Sequence, residues 1–209
     1  MKHLFYIAVM LVLGGQLISC KNEKTETTEA EKPSIQFEAS EAGSSMQWTA
    51  YKTSEKVPVK GTFKDVKIVS SKPSEDAAGA LSDLGFEIPV NSIFTNDTIR
   101  DGKLQKFFFA VMENSMTLKG KFNVETANSG KLEISMNGLS QSLPFSYEVE
   151  QDTIHVSATM DLNEWGAQAA LESLNEACKV LHTGSDGVSK TWNDVALNAK
   201  ILAVKTGES

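Results

Sequence analysis

The stretch LPFSYEVEQDTIHVSATMDL, residues 143–162, decides the fold class of this 209-residue chain. Apolar residues occupy every second position on both sides of the polar tripeptide at 150–152. Because successive side chains of a β-strand point to opposite faces of the sheet, a period of two is typical of strands with one buried face. A three-residue polar connection is short enough for a hairpin. The stretch therefore predicts two antiparallel strands joined by a tight turn.

The same alternation recurs from Ile35 to the end of the chain. Seven further segments show it, with the first of them a possible additional strand: Ile35-Phe37-Ala39, Met46-Trp48-Ala50, Val57-Val59-Gly61-Phe63, Leu84-Phe86-Ile88-Val90, Met116-Leu118-Gly120-Phe122-Val124, Leu132-Ile134-Met136 and Val195-Leu197-Ala199-Ile201-Ala203. The pattern predicts an all-β domain, a closed antiparallel β-barrel of about eight strands. A sandwich of two sheets fits the pattern too, and closure is preferred because several strands are long.

Two segments break the alternation with helical spacing. Asp101 is placed to cap a short helix that buries Leu104, Phe107 and Phe108. The second segment carries its apolar residues three or four positions apart, at Leu171, Leu174, Cys178 and Leu181. One or two short helices are therefore expected to cover an open barrel end.

Composition and charge exclude several classes of function. The formal net charge is −7 and the basic residues are scattered, so the chain offers no basic stripe for nucleic acid. His155 and His182 have neither cysteine nor histidine at a ligand-like spacing, so no metal site is predicted. Charged residues such as Lys119, Lys121 and Glu133 alternate with the apolar ones, which a lipid-facing barrel wall would penalise. The barrel is predicted to be soluble, with no catalytic residues.

The N-terminal residues predict export and a lipid anchor. A basic start and a short apolar run indicate a signal peptide over residues 1–19, and Leu17-Ile18-Ser19-Cys20 resembles the bacterial lipobox. Residues 20–34 then form the lipidated Cys20 and a disordered tether, and residues 35–209 the barrel. The expected location is the outer membrane, at its periplasmic face or the cell surface. With Cys20 acylated, Cys178 would have no partner for an intramolecular disulfide.

A longer motif resembles a known family. Residues 90–104, VNSIFTNDTIRDGKL, followed by Phe107-Phe108, are similar to a stretch of the YceI-like proteins, secreted lipocalin-like barrels whose characterised members bind polyisoprenoid-type lipids. Weaker matches are WTAYK at 48–52 and DLNEWG at 161–166, and the resemblance covers residues 35–205. The chain departs from the family in an apparent helical insertion at 167–190 and in a missing proline around 112–117.

The resemblance implies an isoprenoid or quinone lipid as ligand, with no other cofactor. Bulky residues on the inward phase, or near a barrel end, are the candidates for the wall of the ligand site: Trp48, Phe63, Phe86, Phe107, Phe108, Phe122, Phe145 and Met160. Arg100 is the candidate for a polar headgroup, through an ion pair with Asp101. The alternative, favoured over it, is a structural role in which the pair ties the crossing from Asn91 to Asp101 to the barrel. Gly61 and Gly120 lie on the inward phase, where a missing side chain admits a ligand or another strand, or marks a bend.

Two other functions fit the sequence. A ligand-free tethered barrel acting as an interaction or scaffold module would have a lumen filled by these large side chains. An enzyme acting on a bound lipid would need a polar group on the inward phase, for which Tyr147 is the candidate.

Overall fold

The computed structural model describes residues 35–207. Ten strands form one sheet in which every paired neighbour is antiparallel: β1 Gln36–Lys52, β2 Val57–Phe63, β3 Lys67–Ser70, β4 Gly85–Pro89, β5 Ile93–Phe94, β6 Thr117–Thr126, β7 Ser129–Met136, β8 Leu139–Glu150, β9 Thr153–Asp161 and β10 Asp194–Thr206. The hairpin predicted from residues 143–162 is β8–β9, with Val149 opposite Ile154. The predicted signal peptide, the Cys20 anchor and the tether lie outside the described residues.

The sheet curls into a half-barrel with strand order β3-β4-β6-β7-β8-β9-β10-β1-β2-β5. The terminal strands β3 and β5 share no ladder within residues 35–207. Two backbone hydrogen bonds instead join Phe37 of β1 to Ser74, which follows β3, at 2.7 and 3.0 Å. All-β antiparallel architecture is confirmed, whereas the closed barrel is not, and there are ten strands rather than about eight.

Strand number differs from the prediction for two local reasons. β3 and β5 have four and two residues, too few for an alternation to be visible. The two N-terminal segments predicted as separate strands belong to one long strand, β1. A bulge between Ser40 and Ser45, where the register against β10 shifts, interrupts the alternation without ending the strand. The Ser44 hydroxyl accepts a hydrogen bond from the Leu202 backbone N–H at 3.0 Å and so holds this bulge against β10.

The inner face of the sheet is packed by aromatic side chains from β4, β6 and β8. Phe86, Phe122, Phe145 and Tyr147 form a continuous row, with ring centroids 5.6, 5.4 and 6.0 Å apart. At Gly61 and Gly120, the space beside the glycine is occupied by an aromatic side chain of the paired strand. A Cβ at Gly61 would collide with the Trp48 indole, and a Cβ at Gly120 with Phe86. The space at both glycines is therefore taken by protein side chains.

Three α-helices and four 3-10 helices complete the domain: α1 Thr98–Phe107, α2 Gln168–Ala177 and α3 Lys179–His182, with the 3-10 helices Ala78–Leu81, Val90–Ser92, Phe109–Val111 and Leu162–Trp165. None of the helices within residues 35–207 has the length and apolar character required to cross a bilayer.

The N-terminal cap of α1 differs from the prediction. Asp97, not Asp101, is the cap, because its Oδ1 accepts hydrogen bonds from the backbone N–H groups of Ile99 and Arg100, both at 3.0 Å. Asp101 is buried in the first turn and accepts from the backbone N–H and the hydroxyl of Thr95, at 2.9 and 2.6 Å. Asp101 thus fixes α1 to the segment that precedes it.

Candidate functional site

An apolar cavity of about 120 Å³ lies between the inner face of the sheet and the helices α1 and α2. Its lining residues are Met46, Trp48, Ala50, Phe63, Phe86, Ile88, Ile93, Leu104, Phe108, Phe109, Leu118, Ile134, Met136, Met160, Leu162, Leu171, Leu174, Thr191, Trp192, Val195 and Leu197. Thr191 is the one residue of this set without a largely hydrophobic side chain. With no titratable group in the wall, the cavity offers a ligand little besides dispersion contacts and the removal of apolar surface from water.

Five of the eight predicted wall residues border this cavity: Trp48, Phe63, Phe86, Phe108 and Met160. The other three do not. Phe122 and Phe145 pack edge to face, and Phe122 borders a separate cavity of about 30 Å³. Phe107 is half-buried against the hydrophobic core. Whether any of these side chains touches a ligand stays a prediction.

Sequence reasoning missed most of the aliphatic wall. Ile88, Leu118 and Leu197 lie on the inward phase of their strands, so alternation marked them as buried, but nothing in the pattern separated cavity wall from close-packed core. Leu171 and Leu174 were predicted only as the apolar side of a helix covering a barrel end, and both border the cavity.

A second cavity of about 240 Å³, here called the mouth, adjoins the first. The two share Trp48, Ala50, Leu104, Leu174 and Thr191. Beyond these shared residues the mouth is lined by Tyr51, Lys52, Val59, Asp97, Ile99, Arg100, Lys103, Cys178, Leu181 and His182. A molecule that fills the apolar cavity therefore meets charged side chains only where it leaves through the mouth.

The charged groups of the mouth are held by helix ends. Arg100 Nη2 lies 3.4 Å from Asp97 Oδ2. The ion pair considered from sequence between Arg100 and Asp101 is therefore replaced by one with Asp97. Lys103 Nζ donates to the Ala177 carbonyl at the end of α2, and Lys52 Nζ to the Leu181 carbonyl in α3, each at 3.0 Å. Such bonds satisfy carbonyls that have no partner within the helix.

His182 is neutral at physiological pH. Burial, followed by the charges of Lys52 and Lys103, lowers its pKa to about 4. The Thr191 hydroxyl donates to Asn175 Oδ1 at 2.9 Å, so it must accept from His182 Nδ1, which lies 2.7 Å away. A neutral ring with its proton on Nδ1 leaves Nε2 as an acceptor.

Trp48 carries an unsatisfied donor where the two cavities meet. Its side chain is 7% exposed, and its buried Nε1 has no hydrogen-bond partner among residues 35–207. Leaving a buried donor unpaired costs about 1–3 kcal/mol. The indole N–H is thus a buried, unpaired donor in a side chain that borders both cavities.

Tyr147, the candidate for lipid chemistry, has its hydroxyl engaged elsewhere. It donates to the Thr126 carbonyl at 3.1 Å and borders neither the cavity nor the mouth. Burial raises the pKa of this phenol.

Across residues 35–207, no group of three or more His, Cys, Asp and Glu side chains is arranged to hold a metal ion. Cys178 is a buried free thiol at the mouth.

The fold is similar to those of several solved proteins. A polyisoprenoid-binding domain from Saccharophagus degradans, implicated in plant cell wall breakdown, aligns with a TM-score of 0.56 at 12% identity, over 84% of this chain and 100% of that one. BcnA from Burkholderia cenocepacia aligns with a TM-score of 0.50 at 12% identity, over 80% and 100% of the two chains. A YceI protein from Campylobacter jejuni is 21% identical over 72% of this chain and 85% of its own, with a TM-score of 0.45.

The comparison with families decides the assignment. A search among curated proteins finds no match for the chain. The model of the YceI-like domain matches residues 37–203, well over half of the chain and the same region that carries the sequence resemblance. The chain therefore belongs to the YceI-like family.

Proposed function

We propose that this protein binds the apolar chain of a lipid, such as an isoprenoid quinone or another polyisoprenoid, and carries it within the bacterial envelope. The apolar cavity supports this proposal most, because almost all of the side chains that line it are hydrocarbon. The similar domain from Saccharophagus degradans is described as polyisoprenoid-binding. Removal of apolar surface from water, at roughly 25 cal/mol per Å², supplies the driving force, and micromolar affinity is expected after entropic costs.

Cavity volume limits how such a ligand is held. The 120 Å³ of the apolar cavity is small beside the roughly 300–1,000 Å³ of sites for drug-sized ligands. A chain segment fits there, while the rest of a long isoprenoid extends into the adjoining mouth of 240 Å³. A ligand-free scaffold predicts a lumen filled by large side chains, and the cavity counts against that alternative.

Native mass spectrometry of the domain at residues 35–209, exported without the Cys20 anchor and purified without detergent, tests the proposed ligand class. A bound mass that organic extraction identifies as one isoprenoid or acyl lipid per chain is the expected result. An unliganded mass that stays unchanged after incubation with decylubiquinone and with fatty acid would refute lipid binding and favour the scaffold.

The proposed anchor rests on Cys20 and the residues before it. A thioether-linked diacylglycerol at Cys20, with further acylation, would hold the domain at the outer membrane, since two or more acyl chains suffice for stable attachment. Metabolic labelling of cells with an alkyne fatty acid checks this. The wild-type chain should be labelled and Cys20→Ser should not, whereas equal labelling of both would exclude the anchor.

A further inference from the structure

The mouth is positively charged in a protein that is negative overall. The chain has a formal net charge of −7. Around the mouth stand three cations, Lys52, Arg100 and Lys103, against the single carboxylate of Asp97, while His182 is neutral. Asp97 is also occupied by the Arg100 guanidinium. The mouth therefore presents an excess of positive charge to whatever leaves the apolar cavity.

The two lysines of the mouth retain bonding capacity. Neither has a carboxylate within 4.0 Å among residues 35–207, in contrast to surface lysines such as Lys121, which is paired with Asp83 at 2.6 Å. Each ammonium makes one hydrogen bond to a helix carbonyl in this part of the chain. An ammonium has three donors, so two on each lysine are left for another acceptor. Both lysines are half-buried, which strengthens their attraction for an anion.

We infer that the ligand is a single-chain amphiphile ending in an anionic oxygen headgroup, a carboxylate or a phosphate, whose tail runs from the apolar cavity into the mouth and whose headgroup meets Lys52 and Lys103. This inference rests on the proposed lipid-binding function and narrows it. It predicts selection against neutral lipids of equal chain length, because charge-assisted hydrogen bonds are about twice as strong as neutral ones.

Calorimetric titration of the lipid-free, full-length protein tests the inference. Two pairs of ligands are used, and the members of each pair share the same hydrocarbon chain. The titrations are made at low salt and below the critical micelle concentration of each ligand. Oleate is compared with oleyl alcohol, and farnesyl phosphate with farnesol. The charged member of at least one pair should bind roughly tenfold to a hundredfold more tightly. The pair with the larger ratio tells whether the headgroup is a carboxylate or a phosphate. Equal affinities within both pairs would overturn the inference.

Variants locate the charge recognition. In the double variant K52M/K103M the preference for the charged ligand should fall to about twofold or less, while binding of the alcohol is retained and shows that the cavity is intact. Lys106→Met is the matched control, since Lys106 is an exposed lysine of α1 that borders neither cavity, and it should keep the full preference. A preference that survives in K52M/K103M would show that these lysines do not read the headgroup.

The titrations also separate failure of the inference from failure of the proposed function. Tight binding of the alcohols with no charge preference would leave lipid binding standing and refute the anionic headgroup. Absence of binding for all four ligands would refute lipid binding, and the headgroup inference with it.

Discussion

Replacing Trp165 with alanine is expected to lower the free energy of unfolding by about 3–5 kcal/mol, the usual cost of deleting a fully buried large aromatic side chain. Trp165 has no solvent exposure and lies at the end of the 3-10 helix Leu162–Trp165. Its Nε1 donates to the Ile134 carbonyl of β7 at 2.9 Å. Truncation would thus leave a void in the core and remove the hydrogen bond that ties this 3-10 helix to β7.

Urea unfolding followed by far-ultraviolet circular dichroism measures this loss without depending on tryptophan emission. A thermal midpoint lower by roughly 6–20 °C is the corresponding shift for a domain of this size. Trp165→Phe separates the two causes, because it keeps a ring and removes only the donor and part of the volume, and it should cost less than half as much. An alanine variant within about 1 kcal/mol of wild type would contradict the assignment of Trp165 to the core.

Alternation was sufficient to predict the long strands because each exposes one face to water and buries the other. It failed for β3 and β5, whose four and two residues cannot display a period. It also divided β1 in two, since the bulge between Ser40 and Ser45 resets the alternation without ending the strand. Closure of the barrel depends on pairing between the terminal strands, which hydrophobic pattern does not encode.

The candidate site was predictable only in part, for reasons of shape. Large aromatics on the inward phase were chosen as wall, yet Phe122 and Phe145 pack edge to face against each other and do not border the apolar cavity. Ala50 was placed on the inward phase of its strand but was not chosen as wall, because only bulky side chains were chosen, although it borders both cavity and mouth.

The polar contacts of the mouth follow from helix geometry rather than from local sequence. Lys103 binds a carbonyl 74 residues away, at Ala177, and Lys52 one that is 129 residues away, at Leu181. The unpaired donor of Trp48 depends equally on the full packing around it. Three residues of the motif at 90–104, Asp97, Arg100 and Lys103, border the mouth.

Ala50→Phe is expected to have the largest effect on ligand binding. Ala50 borders both the apolar cavity and the mouth, so a larger side chain there would enter the space through which a lipid chain passes. The affinity for an apolar chain should fall at least about tenfold, equivalent to about 1.4 kcal/mol. Because the added ring would occupy empty space rather than close-packed core, the stability cost should stay near the lower end of the usual 1–3 kcal/mol for overpacking.

The most direct test of the account is a titration of decylubiquinone into wild type, Ala50→Phe and the control Ala110→Phe, read by quenching of tryptophan emission. Trp48 and Trp192 border the cavity and report occupancy, and Ala110 is exposed and borders neither cavity nor mouth. Saturable quenching in wild type and Ala110→Phe, with at least tenfold weaker binding in Ala50→Phe, is the predicted result. Equal saturable quenching in all three proteins would contradict the account, because the lipid chain would then be held somewhere other than this cavity.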